Sequence, residues 1–141
     1  MRIILDTNVL ISGIFFSGLP GEILLAWHSG KVQLSFSIEI LEEYLNVANR
    51  LAKRYPGVEY EEILGLIVQN VELVQTPDLQ EPVCEDAADD KFLACALASN
   101  AKIIVSGDSD LLNVSGYCGI QVLTPRVFVS EFLDPLESSW K

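Results

Sequence analysis

The chain opens with a short apolar run, Ile3-Ile4-Leu5, which stops at Asp6. Three aliphatic residues are too few for a helix and are typical of a strand buried on both faces of a parallel sheet. A similar run, Lys102 to Ser106, is followed by Asp108 and Asp110. The carboxyl ends of parallel strands in open α/β sheets lie at the ligand-binding edge. The two runs are therefore predicted to be neighbouring central strands that bring Asp6 and Asp108 together.

The rest of the chain alternates between strand-like and helix-like spacing of its apolar residues. Strand-like segments occur at 32–36, 71–74 and 120–123, and helix-like segments at 9–16, 22–28, 38–53, 61–70, 85–98 and 126–133. Ser37 is predicted to cap the third helix, and Thr124-Pro125 to start the last one. Asp134-Pro135 ends that helix, and the tail from about 135 is expected to be loosely held. This order predicts an α/β fold with right-handed crossovers and a parallel sheet of about five strands.

Length and charge narrow the function classes. The 141 residues favour a single domain over 1–141, and 50% are hydrophobic, which is enough for a packed core. The net charge of −11 argues against binding nucleic acid through a basic surface. A nucleic-acid substrate would therefore need positive charge from another source, such as a divalent metal.

The cysteines and the histidine argue against disulfide bonds and zinc sites. Cys84, Cys95 and Cys118 form no C-x-x-C pair, which is typical of reduced thiols in a cytoplasmic protein. His28 is the one histidine, so zinc sites built on His and Cys are not expected. It is predicted to end a helix. The amino terminus does not resemble a secretion signal, and no membrane span is expected.

Two predicted helices carry further candidate acids. On the helix over 38–53, Glu43 lies nearest the edge of the apolar stripe, so it is the acid predicted to reach inward. Near the start of the helix over 85–98, Asp86, Asp89 and Asp90 stand at i, i+3 and i+4, along the apolar face. Helical phase permits both Asp89 and Asp90 to face the strand ends. Capping of the helix start is the alternative explanation for these acids.

Several carboxylates meeting at one sheet edge cannot all ionise without compensation. Oxygen ligands with no His or Cys suit a hard cation, Mg²⁺ or Mn²⁺. Such a cation can bind phosphate oxygens and activate water. Phosphodiester hydrolysis is therefore the predicted chemistry.

Four motifs, in order along the chain, resemble those of PIN-domain proteins. The first is Ile4 to Leu10, with Asp6 at its centre, and the second is Ser37 to Arg50, around Glu43. The third is Asp86-Ala87-Ala88-Asp89-Asp90-Lys91-Phe92-Leu93, and the fourth is Val105-Ser106-Gly107-Asp108-Ser109-Asp110-Leu111-Leu112. The resemblance covers nearly the whole chain. In particular, the chain resembles the bacterial and archaeal VapC-like toxins of toxin–antitoxin pairs.

This resemblance implies a three-layer α/β/α fold and a ribonuclease that depends on Mg²⁺ or Mn²⁺. It implies a catalytic, metal-binding quartet of Asp6, Glu43, Asp90 and Asp108. Asp110 would be an auxiliary metal ligand, and Thr7, Asn8 or Ser106 would orient carboxylates or water. The implied partners are an RNA substrate, an antitoxin protein and a second copy of the chain in a homodimer.

Two other functions fit parts of the sequence. A PIN-like fold without catalysis would serve as a protein-interaction module, for which exposed Phe15, Phe16 and Trp27 would suit a dimer or antitoxin contact. A phosphoryl-accepting receiver domain would also place acids at strand ends. It would need a Lys ending a late strand, and no Lys follows Leu123 before the terminal residue.

Overall fold

Four parallel strands form the main sheet in the computed structural model, which describes residues 1–71 and 73–133. The strands are β1 (Arg2–Leu5), β2 (Gln33–Leu34), β5 (Ile103–Val105) and β6 (Gln121–Leu123). Their order across the sheet is β2-β1-β5-β6. A second parallel sheet pairs β3 (Phe36–Ser37) with β4 (Leu73–Val74).

Helices connect most of the strands in the described part of the chain. The α-helices are α1 (Thr7–Phe15), α2 (Gly18–His28), α3 (Ile38–Ala52), α4 (Tyr60–Gln69), α5 (Asp90–Ser99), α6 (Ser109–Leu112) and α7 (Pro125–Phe128). Short 3₁₀ turns lie at Ala87–Asp89 and Tyr117–Gly119, and a π-helical turn follows α7 at Val129–Leu133. The predicted caps are confirmed, since Ser37 Oγ accepts from Ile40 N at 3.2 Å and Thr124 Oγ1 from Val127 N at 3.2 Å.

The two apolar runs are central neighbours, as predicted. Strands β1 and β5 pair in register, with Ile3 opposite Ile103 and Leu5 opposite Val105. Ile3 and Val105 are fully buried, and Leu5 is 1% exposed. Helix α5 packs against both strands. The carboxyl ends of the pair therefore lie side by side, directly before Asp6 and Ser106.

The predicted α/β fold with a parallel sheet is confirmed, but its strands divide between two sheets. The predicted strand over 32–36 is interrupted at Ser35, where the chain changes partner. Strand β2 before it pairs with β1, whereas β3 after it pairs with β4. The expected sheet of about five strands is thus a sheet of four and a sheet of two. The spacing of apolar residues over 38–53 predicts that Tyr44 and Leu45 both belong to the apolar stripe of α3, but Leu45 is exposed.

The aromatic residues considered for a partner surface differ in burial. Phe15 is buried and stacks on Tyr60 with a ring-centroid separation of 5.8 Å. Trp27 is half-buried, whereas Phe16 is exposed with its ring edge-on to Tyr55. The proposed dimer or antitoxin surface therefore retains only part of the residues predicted for it.

The smaller predictions have mixed outcomes. Cys95, which lies in the apolar run of α5, is fully buried, and the three cysteines are free thiols. His28 is the last residue of α2. The predicted end of the last helix at Asp134-Pro135 and the loose tail lie outside the described residues. Across 1–71 and 73–133 no single helix is long and apolar enough to cross a membrane; α1 and α2, bent by 91° at their junction, meet that test only as a pair.

Candidate active site

Asp6 is fixed at the carboxyl end of β1 by hydrogen bonds to both carboxylate oxygens. Thr7 N donates to Oδ1 at 2.8 Å, and Ser106 Oγ donates to Oδ2 at 2.6 Å. The backbone N–H of Asp6 also donates to Val105 O at 2.9 Å, continuing the ladder between β1 and β5. Only 6% of Asp6 is exposed. The carboxylate is therefore held in one orientation in a nearly water-free environment.

Burial raises the pKa of Asp6 above its ordinary value. The hydrogen bonds from Ser106 and Thr7 oppose this shift because they stabilise the charged carboxylate. The negative charges of Asp108 and Glu43 raise the pKa further. The ionised form of Asp6 is thus destabilised by its surroundings, and a cation at this position would stabilise it.

Ser106 connects the ends of the two central strands. Its side chain is fully buried, and the hydroxyl that donates to Asp6 also accepts from Asp108 N at 2.9 Å. Asp108 in turn caps α6, since its Oδ1 accepts from Asp110 N at 3.1 Å. Asp6 and Asp108 therefore lie at neighbouring strand ends, as predicted, and the Ser106 hydroxyl joins the Asp6 carboxylate to the Asp108 backbone N–H.

Glu43 reaches the same edge from α3. Thr7 Oγ1 donates a hydrogen bond to its Oε2, and Lys91 Nζ lies 2.7 Å from its Oε1. Glu39 and Glu42 on the same helix are exposed. The prediction that Glu43 alone of these acids reaches inward is therefore confirmed.

The acids Asp89 and Asp90 at the start of α5 face different surroundings. Asp90 accepts hydrogen bonds from Cys84 N at 2.8 Å and from Val83 N at 3.2 Å, so both of its oxygens hold the preceding loop. Asp89 is half-buried. Burial, followed by a hydrogen bond with Asp110 and the charges of other acids, raises the pKa of Asp89 to about 7. Asp89 is thus the member of the pair that lies among the strand-end carboxylates.

Asp110 is the hydrogen-bond partner of Asp89. Its two oxygens also accept from Glu85 N at 2.9 Å and from Asp86 N at 3.1 Å. The hydrogen bond from Asp89 lowers the pKa of Asp110, and the two backbone donors act in the same direction. Asp110 is therefore the more acidic carboxyl of the pair, because it is better supplied with donors.

The remaining predicted residues have simpler positions. Asp86 is exposed and caps the 3₁₀ turn, since its Oδ1 accepts from Ala88 N at 2.9 Å. This is the capping role that the sequence offered as the alternative. Asn8 is exposed on the first turn of α1. Neither residue is drawn into the group around Asp6.

Comparison with known protein families places the chain in one of them. A family model described as PIN domain matches residues 2–110 of the chain. The chain belongs to the PIN domain family. An uncharacterized protein of Methanocaldococcus jannaschii is 32% identical over 144 residues, covering 94% of this chain and 92% of the relative. Membership of the PIN domain family points to a nuclease, and PIN nucleases typically use divalent metals.

Two residues beside the candidate site were not predicted from the sequence. Lys91 forms an ion pair with Glu43. Its position directly after Asp89 and Asp90, in the first turn of α5, was the sequence feature that could have indicated its place at this site. Tyr44 was assigned only to the apolar stripe of α3. Its hydroxyl donates to Leu5 O at 2.6 Å, and burial raises the pKa of this phenol well above its usual range. Tyr44 thus holds the end of β1 immediately before Asp6.

The donors at this edge are chemically suited to a hard cation. They are carboxylate oxygens, with the hydroxyls of Thr7 and Ser106 beside them. Within the ranges that the structure covers, no group of three His, Cys, Asp or Glu side chains is arranged so that it could hold a metal ion. The carboxylates would therefore have to turn toward a common point to bind one. The mutual repulsion of Asp6, Asp89 and Asp108 favours that rearrangement when a cation is present.

Proposed function

We propose that this PIN domain protein is an endoribonuclease that hydrolyses RNA phosphodiester bonds with Mg²⁺ or Mn²⁺. One observation carries the proposal. At the carboxyl edge of the central strands, the charges of Asp108 and Glu43 raise the pKa of Asp6, and those of Asp108, Asp110 and Asp6 raise the pKa of Asp89. Repelling carboxylates of this kind suit a divalent cation, and a cation would also attract an anionic backbone to an acidic protein.

Asp6 and Asp108 are the residues best placed to begin a metal shell, since they end neighbouring strands and share the Ser106 hydroxyl. Asp89 would join them after losing its proton, and Glu43 through the oxygen that now pairs with Lys91. The metal would supply charge neutralisation of the scissile phosphate and activation of water. The family resemblance assigns Asp90 and Asp110 to the metal as well; for Asp90 this stays a prediction, because both of its oxygens hold the loop at 83–84.

The chain's own groups prepare the site for that chemistry. Ser106 and Thr7 N fix the rotamer of Asp6, and Tyr44 fixes the strand end that precedes it. Thr7 Oγ1 orients Glu43. Positioning of this kind lowers the cost of assembling a reactive geometry, because the groups need not be ordered when substrate binds.

The proposal extends to a biological role as the toxin of a toxin–antitoxin pair in the cytoplasm, acting as a homodimer and inhibited by an antitoxin protein. Its support is the likeness of the four acidic motifs to those of such toxins. Exposed Phe16 and half-buried Trp27 each offer apolar area for a protein partner.

The deciding experiment is cleavage of a panel of single-stranded and structured RNAs with Mn²⁺ or Mg²⁺. Wild-type protein is expected to cleave and Asp6→Asn to lose cleavage by orders of magnitude. Glu62→Gln, which removes a charge from an exposed position on α4, should cleave like wild type. Full activity in Asp6→Asn would refute the site.

A protein-interaction module without catalysis is the second candidate. The observation in its favour is that Glu43 is already paired with Lys91 and Asp90 with backbone donors, so these charges are satisfied without metal. It predicts neither cleavage nor saturable metal binding. Calorimetric Mn²⁺ titration of the wild type separates it from the nuclease.

A further inference from the structure

Lys91 places an ammonium group inside the acidic site. Its Nζ lies 2.7 Å from Glu43 Oε1 and donates to Ala88 O at 2.6 Å. The same atom lies 5.5 Å from the centre of the Phe92 ring. Only 15% of the Lys91 side chain is exposed, compared with 34% for Glu43. This lysine is therefore held in place rather than extended into solvent.

Glu43, the ion-pair partner of Lys91, lies in a group of acids, since its negative charge acts on Asp6. The electrostatic neighbours that act most strongly on Asp6 and Asp89 are carboxylates: Asp108, Asp110, Glu43 and Asp6 itself. The chain as a whole carries 20 acids against 9 Lys and Arg residues. Lys91 is thus a positive charge beside carboxylates that would repel an anionic substrate.

Lys91 pairs with the oxygen of Glu43 that the Thr7 hydroxyl does not use. Thr7 Oγ1 already donates to Glu43 Oε2, so Oε1 is the oxygen of this carboxylate that an incoming cation would share or take. An ammonium and a divalent cation at one carboxylate oxygen repel each other. Binding of one therefore opposes binding of the other.

We propose that Lys91 exchanges partners: it neutralises Glu43 in the metal-free protein and binds an RNA backbone phosphate once metal has taken Glu43. The inference rests on the proposed nuclease function and names the residue that contacts its substrate. A flexible four-carbon side chain ending in a compact ammonium suits this change of partner. The chain thereby keeps its substrate-binding charge neutralised until the metal is in place.

The exchange can be tested without metal, by freeing Lys91 from Glu43. In chelator-treated buffer, Glu43→Gln is expected to bind a short labelled single-stranded RNA several-fold more tightly than Glu42→Gln. The two variants remove the same charge from the same helix, but Glu42 is exposed, whereas Glu43 is the residue that pairs with Lys91. The gain should disappear in the double variant Glu43→Gln, Lys91→Met. Equal RNA affinities of Glu43→Gln and Glu42→Gln would overturn the exchange and leave the nuclease proposal standing.

Metal affinity gives a second test. Lys91→Met is expected to bind Mn²⁺ about fivefold more tightly than wild type in calorimetry without RNA, because a nearby positive charge is removed. Lys102→Met, which removes a lysine just before β5 at the opposite sheet edge, is the matched control. In the presence of metal, Lys91→Met should raise KM for RNA more than it lowers kcat, and reduce the salt dependence of RNA binding by about 0.7 in the log–log slope.

The outcomes separate the two proposals. Absence of Mn²⁺ binding in folded wild type would refute the metal-dependent nuclease and the exchange together. Mn²⁺ binding that Lys91→Met and Lys102→Met change equally would refute the exchange alone, leaving Lys91 as a structural ion-pair partner. If Lys91→Met fails to fold by circular dichroism, the metal-free comparison of Glu43→Gln with Glu42→Gln still decides the question.

Discussion

The Ser106 hydroxyl donates a hydrogen bond of 2.6 Å to Asp6 Oδ2, joining residues 100 positions apart in sequence. The same oxygen accepts from Asp108 N at 2.9 Å. Because Ser106 is fully buried, no water can readily replace it. One side chain therefore sets the relative positions of the two acids that end the central strands.

Ser106→Ala is expected to destabilise the protein by about 1–3 kcal/mol, because a buried carboxylate loses a donor and a backbone N–H loses its acceptor. The free energy of unfolding is measured by urea denaturation. Ser109→Ala, an exposed neighbour in α6, is the control and should change it little. Equal stabilities of the two variants would show that the bridge does not support the fold.

Substitutions of Asp89 and Asp90 should distinguish a role in metal binding from a role in anchoring the loop at 83–84. Asp89→Asn is expected to weaken Mn²⁺ binding in calorimetry while preserving the fold, since its carboxyl lies among the strand-end acids. Asp90→Ala is expected to lose about 1–3 kcal/mol of stability, because Val83 N and Cys84 N lose their acceptors. The reverse pattern, with Mn²⁺ binding lost only in Asp90→Ala despite an intact fold, would support the assignment implied by the family resemblance.

Stability of the metal-free protein should fall as pH rises from about 4 to about 7. Asp89 has a pKa of about 7 in the folded protein against an ordinary value of 3.8, so in this range the folded state keeps a proton that the unfolded chain has lost. The raised pKa of Asp6 acts in the same direction. Urea denaturation at a series of pH values measures the effect.

Asp89→Asn is the control for that pH dependence. Its stability curve should be flatter than that of wild type over the same range, because the titrating group is gone. Saturating Mn²⁺ should also restore wild-type stability at about pH 8, since a cation stabilises the ionised carboxylates. A wild-type curve that rises steadily from pH 4 to pH 7 would contradict the raised pKa of Asp89.

Tyr44→Phe is expected to cost about 1–3 kcal/mol, since Leu5 O loses its buried donor at 2.6 Å. Tyr55→Phe, at an exposed tyrosine, should have little effect on urea denaturation. If Tyr44 also positions the strand end before Asp6, Mn²⁺ affinity should fall in Tyr44→Phe and not in Tyr55→Phe. An unchanged Mn²⁺ affinity would limit Tyr44 to a structural role.

Features that depend on short stretches of chain were predictable from the sequence. The apolar runs before Asp6 and Ser106 predicted buried neighbouring strands, because only parallel strands covered on both faces are apolar throughout. Ser37 and Thr124 were identified as caps because a hydroxyl before a helix can accept from its first free N–H groups. The inward position of Glu43 followed from helical phase alone.

Features that depend on contacts between distant segments required the tertiary structure. Phase permitted both Asp89 and Asp90 to face the strand ends, and only packing of the 83–84 loop assigned Asp90 to its backbone donors. The division of the sheet at Ser35 depended on the pairing of β2 with β1 and of β3 with β4. The pairing of Lys91 with Glu43 likewise joins helices far apart in sequence. The sequence by itself determined which acids end strands and begin helices, because these patterns are local. The tertiary structure decided which of them meet and what neutralises them, because burial and charge depend on all elements at once.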